Sequence, residues 1–270
     1  GATNANGALP KPIPIVGVMG DSQASLFAQN CFSPGTAKAT FGTGTSVLLN
    51  IGGKFKTSKK GSVTALAWVL NGEPTYAFEG IINFSAATIE WLKNQLELIQ
   101  DASEVEKLAL SVSDNGGVYL VPAFAGLSAP YWNPDARAAI LGMTSFTSKA
   151  HVVRAALEAI AYQIRDVLDM MQAEAHHPLQ SVNADGGPTR NKFVMQFTAD
   201  MTRAEIKVSD VPESSAWGAA MNGLLGLGVY KSLEELKNFE QARTVFRPKM
   251  KVKLVEKNYA GWKQSVKRIL

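Results

Sequence analysis

The sequence predicts an α/β protein built on a mixed sheet. Three observations point there. Short apolar runs stop at glycine turns in the manner of buried strands, segments with apolar residues at helical spacing lie between them, and no composition break or internal repeat divides the 270 residues. With 46% hydrophobic and 19% charged residues, the chain can bury a sizeable core and does not have the make-up of a disordered one.

Residues 13–19 (IPIVGVM) form an apolar run ending at Gly20-Asp21, which predicts a buried strand. Ser22 suits the cap of a helix over 23–31. Strands are predicted at Thr36–Phe41 and 46–51, joined by Gly42-Thr43-Gly44. Two more, 62–70 and 74–78, flank Asn71-Gly72, a dipeptide that accepts the positive φ of a tight hairpin. Helices are predicted over 82–99, with Ile89, Leu92 and Leu96 at helical spacing, and over 103–111. A strand at 117–122 leads to a Gly/Pro loop, 125–134. Lys149–Ala175 carries Val152, Ala156, Ile160, Ile164 and Leu168 down one face and predicts a long helix. A strand at 181–184 opens into Asp185-Gly186-Gly187. Then come a helix at 191–201, a strand at 205–208 and a helix of small residues at 214–228, read as packing tightly on the sheet. Segments 232–239 and 259–270 complete the count.

Charge and cysteine content exclude several classes. The formal net charge is +4, with the basic residues scattered apart from Lys249, Lys251, Lys253 and Lys257, whose spacing reads as a solvated strand face. That argues against a nucleic-acid surface, while a modest basic excess suits a protein that binds polyanionic phosphates. The lone cysteine, Cys31, rules out an intrachain disulfide framework and reads as core, which fits a reducing, cytoplasmic setting. No apolar run reaches the roughly 18 residues of a membrane span. The opening GATNANGALPKP has no signal pattern and reads as a polar loop partway through a larger protein.

Three segments have a chemical character, each at a strand end, where open α/β sheets place their ligands. Gly42-Thr43-Gly44 lets backbone N–H groups approach a phosphate, with the Thr43 hydroxyl added; an ordinary hairpin turn has the same composition. Asp185-Gly186-Gly187 leads through Pro188-Thr189-Arg190-Asn191 into a helix, whose N-terminus favours anions and whose Gly pair lets a flat nucleoside lie on the backbone; a plain strand-to-helix turn needs glycine too. Asp21, in Gly20-Asp21-Ser22-Gln23, is placed to be a general base or magnesium partner, or else simply a helix cap. Neither G-x-x-x-x-G-K-[ST] nor G-x-G-x-x-G occurs, so a P-loop and a Rossmann turn are both unsupported. His151, His176 and His177 lack ligand spacing, and no residue is assigned to a metal site.

The order and spacing of these segments resemble the second domain of the FGGY carbohydrate kinases, most closely their glycerol kinase branch. The likeness is carried by VGVMGDSQASLFAQ from Val16, AKATFGTGTSVLLNIG from Ala37, SAPYWNPDARAAILGMT from Ser128, DGGPTRNKFVMQFTADM from Asp185 and ESSAWGAAMNGLLGLG from Glu213. Residues 138–158 also fit the family's second signature, with Gly142, then His151-Val152, then Ala155-Ala156-Leu157-Glu158. The resemblance implies the ribonuclease H-like, actin-like ATPase fold, with ATP and Mg²⁺ in a cleft between two domains and a small sugar or polyol as substrate. It implies Asp21 as the acceptor of the substrate's hydroxyl proton. It implies nucleotide contacts from the Gly42-Thr43-Gly44 turn, from Gly186, Gly187 and Asn191, and from two helix positions, Ala86 and Glu90, where the glycerol kinases are expected to have Gly and Gln.

Two departures concern the substrate. A second Gln follows the Asp in glycerol kinases, where Ser22 stands here, and an aromatic residue packs on the glycerol carbons, where Ser46 stands. Both positions are expected to line the substrate pocket, and the loss of an apolar wall and a long amide predicts a substrate bulkier than glycerol. The family's first domain, with its Asp-x-Gly-Thr phosphate loop, is expected to precede Gly1, so the 270 residues read as a fragment inactive by itself. Members of the family often dimerise, which allows a homodimer by analogy. The rival readings are a non-catalytic nucleotide-binding module of the actin-like superfamily, which has no need of a base at Asp21, and a dehydrogenase domain, against which the missing Rossmann turn counts.

Overall fold

A computed structural model describes residues 1–175, 177–211, 213–238 and 242–270. A short ribbon, β1 (Ala2–Thr3) and β2 (Ile13–Pro14), opens the chain. It is followed by α1 (Asp21–Ala28), β3 (Thr36–Phe41), β4 (Thr45–Gly52), β5 (Val63–Leu70), β6 (Glu73–Ile82), α2 (Ala86–Asn94), α3 (Glu104–Leu110), β7 (Tyr119–Val121), β8 (Ala139–Leu141) and α4 (Lys149–Ala175). β9 (Ser181–Asp185) then enters a 3-10 turn, Gly187–Arg190, before α5 (Lys192–Thr202), β10 (Ile206–Ser209), α6 (Ser214–Gly226), α7 (Leu233–Lys237), β11 (Arg243–Phe246) and α8 (Val252–Lys267). Seven strands make one sheet in the order β11-β10-β9-β3-β4-β6-β5. β3–β9 and β9–β10 are parallel and the other pairs antiparallel, so the mixed sheet flanked by helices is as the sequence predicts.

The alternation of side chains along each strand sets the layers. Ala37, Ala39 and Phe41 of β3 and Val47, Leu49 and Ile51 of β4 face one side, where they join Ile160, Ile164 and Val167 of α4. The opposite phase of β4 puts Leu48 with Leu26 and Phe27 of α1, Trp68 and Met221 of α6. Cys31 is buried in this second layer, where loss of hydration pushes its thiol up to about 11. A third cluster gathers Tyr162, Phe197, Trp262 and Val266 around α8. Asp166 of α4 pins it, accepting hydrogen bonds from Tyr131 Oη (2.8 Å), Trp262 Nε1 (2.7 Å) and Tyr259 Oη (2.5 Å).

Several sequence expectations change. Residues 15–20 are not a strand: Ile15 and Val18 are exposed, and the segment passes along α6, where Gly17 lies against Asn222 and Gly226 against the Val16 carbonyl. The apolar run finds a helix rather than a strand ladder as its neighbour. Asp21 is therefore the first residue of a helix, not a strand tip, and Gly20 rather than Ser22 holds the cap position. β6 runs on to Ile82, so the helix predicted over 82–99 begins only at Ala86. Lys253 and Lys257 are one helical turn apart on α8, not on a strand face, and Lys249 and Lys251 precede it. The small-residue helix α6 packs chiefly on α1, where Gly218 meets the Ala24 backbone too closely for any Cβ. His176 and the Phe239 end of the 232–239 segment lie outside the described residues. Among the described residues no helix is long and apolar enough to cross a membrane.

Candidate functional site

Two of the three chemically suggestive turns meet at one end of the sheet. Thr40 of β3 and Asp185 of β9 are register partners, so their strands run out side by side into Gly42-Thr43-Gly44 and Gly186-Gly187. The turns touch. Gly186 has φ +98, and a Cβ there would overlap the Phe41 carbonyl oxygen and lie 2.8 Å from its carbon. Gly44 is pressed against the Ile82 carbonyl in the same way. Thr43 stands exposed at the tip of its turn.

The first turn is fused to α2. Ser85 and Ala87 N–H donate to the Thr43 carbonyl (2.9 and 3.1 Å), and Ala86 N–H donates to that of Gly42 (3.1 Å). These bonds satisfy donors that a helix start otherwise leaves open, and they fix Ala86 beside the glycines. Ala86, Glu90, Gly187 and Asn191 then line one cavity of ≈ 510 Å³ between α2, α3 and the Gly187–Arg190 turn. Ile89, Val105, Leu157 and Ile160 give it apolar walls, and its volume suits a small-molecule ligand. Asn191 Oδ1 accepts from Val194 N–H (3.0 Å) and caps α5, so the amide nitrogen is the group left to donate to a ligand. A second hollow of ≈ 480 Å³ borders the same Gly pair toward β10 and β11.

A buried polar chain ties α1 to both turns. Asp21 is exposed, its Oδ1 accepts the Ser22 N–H (2.7 Å), and its carbonyl accepts from Ser215 Oγ (3.0 Å). One helical turn on, Ser25 Oγ donates to Asp185 Oδ2 (3.1 Å) and lies 3.2 Å from Thr40 Oγ1. Lys38 Nζ donates to Thr40 Oγ1 (3.0 Å) and Ser46 Oγ (3.3 Å). Lys38 is only 1% exposed. Burial pulls its pKa below the usual lysine range, and the negative charges of Asp185, then Glu79 and more weakly Asp21, oppose that shift. Asp185 Oδ1 is buried without a hydrogen-bond partner among the described residues.

Thus Ala86, Glu90, Gly187 and Asn191 line one cavity, the Gly42-Thr43-Gly44 turn is bonded to the start of the helix that carries Ala86 and Glu90, and Gly186 packs on the Phe41 carbonyl beside that turn. Asp21 and Ser22 begin the helix anchored to Asp185 through Ser25, and Ser46 is joined to Thr40 through Lys38. Sequence reasoning missed Lys38 and the role of Asp185. The signal was present in the lone charge of TAKATF, since an ammonium inside an apolar strand must find polar partners. Among the described residues no group of three or more His, Cys, Asp or Glu side chains gathers as a metal site.

Comparison with known proteins bears on this arrangement. Residues 37–227 match the FGGY family of carbohydrate kinases, C-terminal domain. The chain belongs to this family. It is 49% identical over 264 residues to glycerol kinase 1 of Thermotoga maritima, covering 98% of this chain and 54% of that protein. It is 45% identical over 270 residues to the glycerol kinase of Desulfitobacterium hafniense, covering 100% and 55%. The structure of Plasmodium falciparum glycerol kinase with ADP superposes with a TM-score of 0.91 at 36% identity, over 100% of this chain and 54% of that one. The fold is the ribonuclease H-like, actin-like ATPase fold of the FGGY kinases, which a xylulose kinase from Rhodospirillum rubrum shares at 23% identity and a TM-score of 0.81. The FGGY chain described here spans about half the length of the relatives it matches.

Proposed function

We propose that this chain is the nucleotide-binding half of an ATP-dependent kinase for a small polyol or carbohydrate, with Asp21 as its base. The observation that carries the reading is the ≈ 510 Å³ cavity at Gly187 and Asn191 with the packed glycine turns beside it, to which the helix that begins with Asp21 is tied through Ser25 and Asp185. The adenosine lies in the cavity against Gly187 and Asn191, and the phosphates pass over Gly42-Thr43-Gly44. Asp21 takes the proton of the substrate hydroxyl as its oxygen bonds to the γ-phosphorus and ADP leaves. The exposed Asp21 carboxylate is the kind of group that, with phosphate oxygens of the nucleotide, would hold magnesium, and the ion would supply neutralisation of the phosphate charge. The name glycerol kinase on the relatives at 45–49% identity supports a polyol as acceptor. The length they have beyond this chain is the place for the domain that closes the cleft. A kinase of this kind works where ATP is made and spent, in the cytoplasm.

The test is ADP release by the full-length protein with Mg-ATP and a panel of polyols, ketoses and gluconate. Replacing Asp21 with Asn is expected to lower turnover by about 10²- to 10⁴-fold, the range of a lost general base, while nucleotide affinity is retained. Full activity in the Asn variant would reduce Asp21 to a residue of the first helical turn.

A further inference from the structure

We infer that Ile81 sets substrate size, forming the apolar wall of the polyol pocket against which the carbon chain of a three-carbon polyol lies. The inference rests on the kinase reading above. Ser46 of β4 and Ile81 of β6 are direct register partners. Such partners in an antiparallel pair point to the same face, their Cβ atoms about 4.5–5.5 Å apart. Ser46 is also the register partner of Thr40, so Ile81 stands on the face that carries Lys38, Thr40 and α1. The helix that begins with Asp21 packs on this side, Ser25 Oγ lying 3.2 Å from Thr40 Oγ1, which puts the proposed base at the start of the helix over this face.

Ile81 is 47% exposed, while Gly80 and Ile82 on either side of it are buried against the opposite face. The outer strand β5 begins pairing only at Val63 with Glu79, two residues short of Ile81, so no sheet neighbour covers it on that side. Its backbone is nonetheless held, because Ser128 Oγ donates to the Ile81 carbonyl (2.8 Å). The result is a branched apolar side chain on a fixed support, open to the cleft. Ser46 supplies the complement. Its oxygen accepts from the Lys38 ammonium, so it is a fixed polar group with a hydroxyl proton to offer. One hydroxyl-binding point beside one apolar wall matches the alternation of C–OH and C–H surfaces on a polyol. The enlargement expected from Ser46 alone takes no account of its partner: a wall absent from β4 is present on β6, and an isoleucine there refills the room that a serine opens.

The experiment compares wild type with Ile81→Ala and Ile81→Val in the full-length protein, measuring kcat/KM for glycerol, erythritol and xylitol and KM for ATP. Wild type is expected to prefer glycerol. Ile81→Ala should lower kcat/KM for glycerol about 10-fold or more, the discrimination available to missing methyl and methylene groups in an apolar pocket. Erythritol and xylitol should lose less, so the glycerol preference falls, with KM for ATP unchanged and Ile81→Val intermediate. An equal loss for every polyol would make Ile81 a structural brace and overturn the inference, as would an unchanged preference or a wild type that favours xylitol. A wild type that phosphorylates none of the wider panel would overturn the kinase reading itself, and this inference with it.

Discussion

Gly186 and Gly187 are neighbours in sequence, yet alanine at each should have opposite effects. At Gly186 the backbone has φ +98, a conformation that costs an L side chain about 1–3 kcal/mol. The new Cβ would also collide with the carbonyl of Phe41, which is main chain paired with Thr45 in the sheet and has little freedom to retreat. Overpacking of that kind adds about 1–3 kcal/mol. Gly186→Ala is therefore expected to destabilise by about 2–6 kcal/mol, a large share of a total stability that is typically about 5–15 kcal/mol. Gly187 has ordinary φ and nothing within 4 Å of a built Cβ. Alanine there should leave stability within about 1 kcal/mol, since it also restricts the unfolded chain. Gly187 borders both hollows, however, so its methyl would project into ligand space. An overpacked nucleoside should bind about 10- to 100-fold more weakly. Urea denaturation and Mg-ADP titration of the two variants separate these effects. If Gly187→Ala binds nucleotide at full strength, the nucleoside does not lie on this turn; if it unfolds as easily as Gly186→Ala, the packing argument is wrong.

Two predictions concern buried carboxylates away from the cleft. Asp166→Ala leaves Tyr131, Tyr259 and the fully buried Trp262 without an acceptor, which should cost about 3–9 kcal/mol in urea denaturation at about 1–3 kcal/mol per stranded donor; Asp166→Asn, keeping one acceptor oxygen, should lose less, and equal losses would refute the hydrogen-bond account. Burial pushes the Glu158 carboxyl pKa up, with Arg154, Asn115 and Tyr162 pulling it back. The folded chain then holds this proton more tightly than the unfolded one, so the stability it contributes is present at low pH and falls as pH rises from the ordinary glutamate value of 4.5 through the folded pKa. The stability of Glu158→Gln relative to wild type should climb as pH rises above 4.5, and a flat difference would refute the shift.

The fold was legible where one physical signal dominated. The stripe from Val152 to Leu168 gives α4 an apolar face, and its predicted and observed bounds coincide at Lys149–Ala175. Asn71-Gly72 has positive φ at both residues and turns β5 into β6 as predicted. Errors arose where the same signal serves two structures. The run over 13–19 is apolar enough for a strand, but apolarity does not say whether the partner is a strand or a helix, and the close approach of Gly17 and Gly226 to their neighbours shows the helix won. Ile82 stands seven residues before Ile89, a helical spacing that hid the end of β6. β8 and β11 are short, and β11 is largely exposed, so neither carries a clear alternation.

The sequence picks out residues of the candidate site that the fold brings near one another, but not a division of labour among them. A glycine needed for packing and a glycine needed for a ligand read identically in sequence, because both roles ask only that a Cβ be absent. Geometry separates them here: Gly44 and Gly186 are closed in by backbone, and Gly187 faces open space. The same limit applies to Ser46. Read alone it is a missing wall. Its meaning depends on the residue across the ladder, and that residue, Ile81, is thirty-five positions away in sequence but an adjacent side chain on the sheet. Lys38 makes the point from the other side, since a buried ammonium announces itself in the sequence whereas its partners, Thr40 two residues on and Ser46 on the next strand, exist only once β3 and β4 are paired. If Ile81 walls the polyol pocket, specificity in this half of the cleft is a property of strand register, and a substitution at Ser46 should be interpreted only together with the residue at position 81.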